Sequence, residues 1–207
     1  ETGLYSKTNA NVKINYIGTY NTNGVPNYLV AKPDVINKDF LTDVNNALPE
    51  NMPVPTYHPE YLLGNSQHNL VILDKAEVWI TFVSEGAGYK NVLAYYTYDR
   101  DFPPKTAADI KECFVIFPNA SFAGSGGGLY SGDKVSLGVF EKNTVIGWML
   151  MRNGWNDTTR LSTEGLGLLY SNLELNPEPD IKNRQHTVML YDDKRSLFLL
   201  GFEDLIR

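Results

Sequence analysis

From residue 70 onward, apolar positions recur with a period of two or fill both faces of short runs. Val78, Ile80 and Phe82 alternate with Trp79, Thr81 and Val83, the spacing of a strand that turns one face to a core. The runs 92–98 (VLAYYTY), 134–140 (KVSLGVF), 145–151 (VIGWMLM), 186–191 (HTVMLY) and 197–202 (LFLLGF) are short and rich in β-branched and aromatic residues. Two of them, VLAYYTY and VIGWMLM, are apolar at nearly every position, which predicts central strands covered on both sides. Turn residues separate the runs: Glu85-Gly86-Ala87-Gly88, Ser131-Gly132-Asp133, Asn153-Gly154, Asn183-Arg184 and Asp192-Asp193.

The chain before this region has another character. Residues 4–33 are polar and rich in Asn and Tyr, with one alternating stretch at 12–17 and a turn at Asn23-Gly24. Phe40, Val44, Ala47 and Leu48 fall at helical spacing behind Asp34, a candidate cap, so one helix is predicted near 35–48, stopped by Pro49. The proline-rich stretch Pro53–Pro59 reads as an extended linker. A second short helix is predicted at 107–113, with Thr106 and Asp109 as a capping box. The predicted fold is mainly β. It is an antiparallel, jelly-roll-like β-sandwich over 68–207, preceded by a helical or irregular lead-in over 1–67.

Composition narrows the chemistry. A chain of 207 residues with 43% hydrophobic and 20% charged residues makes one globular domain with a real core. The net charge of −6 argues against a nucleic-acid partner and against a polybasic membrane anchor. No apolar run reaches the ~20 residues that span a bilayer. The single cysteine, Cys113, cannot form an internal disulfide or a cysteine zinc site, and is predicted to be a core thiol at the end of the second helix. With His58, His68 and His186 as the only histidines, the chain offers mainly oxygen donors. Oxygen donors suit calcium or sugars.

Three groups of acids and amides sit at strand ends: Glu85 with Asn91; Asn153, Asn156 and Asp157; and Glu203 with Asp204. No loop has the EF-hand spacing, so any calcium site must be assembled in space. Tyr89, Trp155 and Tyr170 lie beside these groups and could stack on the apolar face of a sugar ring. The alternative for Trp155 is that it fills the end of the core. The Gly-rich run Gly124–Gly128 lacks the Lys-Ser/Thr of a phosphate loop and reads as a loop that needs positive φ. Two glycosylation sequons, at Asn119 and Asn156, would matter on a eukaryotic secretory route. No nucleophile, base and orienting group can be read together, so no enzymatic activity is expected.

A series of motifs occurs in one order. It comprises Glu85–Asn91, Phe117-Pro118-Asn119-Ala120-Ser121, Ile146-Gly147-Trp148, Asn153-Gly154-Trp155, Tyr170-Ser171 with Asn176-Pro177-Glu178, Arg184-Gln185-His186-Thr187, and Gly201-Phe202-Glu203-Asp204. Over residues 50–207 this resembles the LruC-type domain proteins of Bacteroidota and Leptospira, which carry a C-terminal DUF4114 domain. The resemblance implies a secreted or outer-surface bacterial β-sandwich. It also implies an acidic Asp-x-Asp-Phe-Asn-Asp segment after the Phe-Glu-Asp motif, completing a calcium site. Only Glu203 and Asp204 match that site here, with Glu85 as a spatial neighbour. Because this sequence stops at Arg207, the resemblance implies a cut chain whose last sheet lacks a strand and exposes an edge.

Three functions follow as expectations. One is a non-enzymatic extracellular or cell-surface adhesion module, stabilised by Ca2+ at Glu85, Glu203 and Asp204. Another is a lectin-like module that binds glycan through Tyr89, Asn91, Asn153, Trp155, Asn156 and Asp157. The third is an assembly protein whose open edge accepts a donor strand or C-terminal fragment.

Overall fold

The computed structural model describes residues 12–49, 52, 54–62, 67–157, 160–161 and 166–204. The expectations at Arg207 and at Thr158 of the second sequon fall outside these residues. The strands are β1 (Lys13–Tyr16), β2 (Leu70–Val71), β3 (Ala76–Thr81), β4 (Val92–Asp99), β5 (Glu112–Phe117), β6 (Lys134–Phe140), β7 (Thr144–Met151), β8 (Trp155–Asn156), β9 (Arg160–Leu161), β10 (Leu168–Tyr170), β11 (Thr187–Asp192) and β12 (Leu197–Phe202). The predicted mainly-β class holds.

Among the described residues the main sheet runs β1-β5-β4-β7-β10, with β2 beside the first half of β7. Alternation along β4 and β7 sends side chains to both faces. Val92, Ala94, Tyr96, Met149 and Met151 join one core. Leu93, Tyr95, Ile146 and Trp148 join the other. The first core is closed by residues outside the main sheet, such as Ile110, Trp155 of β8 and Leu175 of a 3-10 turn. The second is closed by the pairs β3–β6 and β11–β12, through Val78, Val135 and Leu137 and through Leu200 and Phe202. This gives a sandwich-like body whose second layer is two separate antiparallel pairs.

Several local expectations change. The stretch 12–34 is not a lead-in: β1 pairs with β5, in parallel, as an edge of the main sheet, and Tyr28 donates to the Ile116 carbonyl. The helix α1 (Lys38–Ala47) is capped by Asn37, whose side chain accepts from the Phe40 amide. Asp34 instead accepts from Thr81 and Lys134. Pro53 lies outside the described residues, and 54–59 is not extended. It carries a short helical turn at Val54–Tyr57 and a 3-10 turn at Pro59–Leu62. Pro55 and Pro59 sit in first turns, where the missing N–H costs no helical bond. The predicted helix at 107–113 is only a 3-10 turn, Ala107–Asp109, with the Asp109 carboxylate collecting the Lys105 and Thr106 amides. Cys113 therefore lies inside β5. It is the expected core thiol, and burial pushes its pKa up to about 12.

One contact fixes the centre of the sheet. Tyr96 of β4 is paired with Gly147 of β7, and its ring lies where a side chain on Gly147 would project. A Cβ at Gly147 would fall 2.3 Å from Tyr96 Cζ. Gly147→Ala is thus expected to destabilise the protein by about 2–3 kcal/mol, as overpacking in a closed core does. Urea unfolding of the variant measures this, and an unchanged midpoint would refute the packing.

Candidate functional site

The two pairs of the second layer do not pair with each other. Between them runs a groove of about 2040 Å³. Leu93, Phe117, Trp148 and Leu150 of the main sheet form its floor. One wall is β3, of which every residue from Ala76 to Thr81 lines the space; the other is β12, likewise from Leu197 to Phe202. Their paired neighbours contribute little: Lys134 from β6, Val188 and Met189 from β11. Both strands therefore present their edges. Among the described residues, β3 pairs only with β6 and β12 only with β11.

The edges run in the same direction. Phe82, just past β3, packs edge-on to Phe117, which pairs with Leu93 at the start of β4. Asp204, just past β12, accepts at 2.7 Å from the side chain of Asn91, which precedes β4. The two walls end together. A strand laid between them with opposite direction would pair antiparallel with both.

Asn91 is the hub of that end. Its Nδ2 donates to Asp204, its Oδ1 accepts the Asn153 amide at 2.9 Å, and its carbonyl accepts the Ala120 amide at 2.8 Å. Arg152 donates from Nε to the Asp204 carbonyl at 2.5 Å and from Nη1 to the Leu166 carbonyl at 2.8 Å. Glu85 accepts the Phe122 amide at Oε1, while its buried Oε2 meets no partner among the described residues. Glu85, Tyr89, Asn91, Glu203 and Asp204 thus line one groove. Among the described residues no three His, Cys, Asp or Glu side chains are gathered to hold a metal.

The other expected ligand-binding residues lie elsewhere. Trp155 is 2% exposed and belongs to the core on the opposite face, edge-on to Tyr20. Tyr170 is fully buried there too. Neither offers a ring face to a sugar, because the sheet needed large groups to close that side. Asn156 and Asp157 are exposed; Asp157 accepts from Trp155 Nε1 at 3.2 Å and pairs with Lys90 at 2.7 Å. Asn153, at φ 47°, makes the turn that joins this group to Asn91. The sequon residue Asn119 is fully buried, with Nδ2 donating to the Asn23 and Gly126 carbonyls, so it is closed to glycosylation in the folded chain.

A polar pair escaped the sequence reading. His186 Nε2 lies 2.5 Å from Glu178 Oε1, both side chains sealed from solvent. His186 Nδ1 faces the Glu203 carbonyl at 3.2 Å, which only accepts, so Nδ1 carries a hydrogen. The Nε2–Oε1 bond then needs one further proton, shared as imidazolium–carboxylate or imidazole–carboxylic acid. The loop around the pair is pinned by Asn176, which holds both backbone groups of Tyr170 and the Arg184 carbonyl.

The C-terminal stretch carrying this pair, together with β7 and β12, is also where the chain matches a known family. Residues 140–207 match the model of DUF4114, a domain of unknown function. No curated protein and no solved structure gives a match. The DUF4114 region supplies one wall of the groove, β12, and a floor strand, β7. The other wall, β3, and the floor strand β4 come from before it.

Removing one member of a buried pair strands the other. Glu178→Ala is expected to cost about 3 kcal/mol in urea unfolding. Adding His186→Ala should then cost much less than it does alone. Additive losses would show that the two side chains do not act as a unit.

Proposed function

We propose that this chain is a non-enzymatic binding module, acting at a cell surface or after secretion, that takes an extended polypeptide strand between β3 and β12. The observation that carries the reading is that β3 and β12 both line one groove over an apolar floor and, among the described residues, neither pairs along the edge turned to it. Exposed sheet edges are templates for added strands. Here a single strand would join two pairs into one continuous sheet. A six-residue strand bonded on both sides makes about ten backbone hydrogen bonds, each worth roughly 0.5–1.5 kcal/mol net. Its alternate side chains would cover Leu93, Phe117 and Trp148. The partner is thus a donor strand or C-terminal fragment of protein rather than a glycan, which would want the aromatic faces that Trp155 and Tyr170 keep inside.

Calcium remains a second reading, favoured by Glu85, Glu203 and Asp204 lining the same groove. Because the described residues gather no metal set, calcium in this reading draws further oxygens from the occupying segment.

Selection of a displayed library of random twelve-residue peptides tests the strand reading. The expected result is capture of peptides with alternating apolar residues, with slowed amide exchange in β3 and β12 on binding. Failure to enrich any peptide, or binding without that protection, would overturn it. A melting curve in calcium and in chelator tests the second reading, in the presence of the selected peptide. A midpoint raised by calcium supports it, and identical curves count against it.

A further inference from the structure

The groove has a cover. From Asp34 to Leu48 the chain passes from the β3–β6 pair to the β11–β12 pair. At the first end, Asp34 accepts from Thr81 Oγ1 at 2.6 Å and from Lys134 Nζ at 3.0 Å, and its amide donates to the Gly132 carbonyl. Burial opposes the Asp34 charge, but the bonds from Thr81 and Lys134 and the lysine's charge outweigh it, holding its carboxyl below the ordinary range. At the other end, Asp43 accepts from Arg195 at 2.5 Å, the Arg195 guanidinium sits 4.9 Å from the Phe40 ring centroid, and Leu48 lies against Gly201 of β12. Between these ends the apolar stripe of α1, Phe40, Val44 and Leu48, faces the groove.

We propose that the segment 34–48 is a strap that closes the groove and must lift for a strand to enter, so that strap opening sets the rate of strand capture. The inference rests on the strand reading of the groove. The strap is built to be the weaker element. A ten-residue helix is marginal alone, and KDFLTDVNNA holds several poor helix formers, with only Phe40 and Val44 buried. Its far end is held by a partly exposed ion pair, of the kind that contributes little, by the Arg195–Phe40 contact and by Leu48 against Gly201. The walls, in contrast, are each tied into a six-residue antiparallel ladder, interrupted in β3 by one register shift between Val78 and Trp79. Local opening follows the least-supported segment.

Locking the strap tests this. A Cβ built on Gly201 meets the Leu48 side chain, with Cγ at 3.8 Å, so the two positions point at each other and Leu48→Cys with Gly201→Cys is the pair to join by a disulfide. Cys113 is buried and does not compete. The probe is a fluorescent peptide recovered by the display selection, with association followed by stopped flow. The expected result is association at least tenfold slower in the oxidised variant and restored by reductant. A second variant, Asp43→Ala, removes the ion pair from the far end and should speed association about two- to fivefold, the factor that an exposed ion pair controls. Equal rates in oxidised and reduced protein, or no gain in Asp43→Ala, would overturn the strap while leaving the groove reading standing. A peptide that slows no β3 or β12 exchange overturns both.

Discussion

The structure depends on β4 and β7 having to be covered on both faces. Each is eight residues long and sends large side chains to either side. Burying a Leu, Met or aromatic side chain is worth roughly 1.5–3 kcal/mol, so neither face can be left wet. On one face, loops and short turns close in around Tyr96, Tyr170 and Trp155. On the other, the chain uses β3–β6 and β11–β12, which lie apart in sequence and do not pair with each other. The groove is the seam left by that solution. Its floor is apolar because it is the same sheet face that the two pairs cover on either side.

The polar residues are arranged around this seam. Asn91 ties the end of β12 to the start of β4 and to the turn at Asn153. Arg152 holds the Asp204 carbonyl, and the sealed Glu178–His186 pair reaches Glu203 through its second ring nitrogen. These bonds fix where β12 stands, and so how far its edge lies from β3. In this account the buried polar groups set the geometry of a binding seam. Those on the DUF4114 side of the groove, from Arg152 to Asp204, lie within the matched residues.

The strands were legible in the sequence because their signal is local. Alternation or two-sided apolarity marks β4, β6, β7 and β12 within windows of six to eight residues. The pairing was not legible, since β3 and β6 join across the whole of β4 and β5. The parallel contact of β1 with β5 spans almost a hundred positions. The site was legible in part. Glu85, Asn91, Glu203 and Asp204 do line one groove, but an exposed and a buried tryptophan look alike in sequence, and Trp155 proved to be core. Glu178 and His186 carry no periodic signature. Their trace was their presence in the motifs Asn176-Pro177-Glu178 and Arg184-Gln185-His186-Thr187, which resemblance singled out without assigning a role.

Among the described residues, β3 and β12 both line the groove and neither pairs along the edge turned to it. Residue-resolved amide hydrogen exchange on the free protein tests it most directly. Within each strand, amides bonded to β6 or β11 are expected to exchange slowly while those turned to the groove exchange orders of magnitude faster. Uniformly slow exchange along both strands would contradict it, because it would mean that the second layer is already one closed sheet.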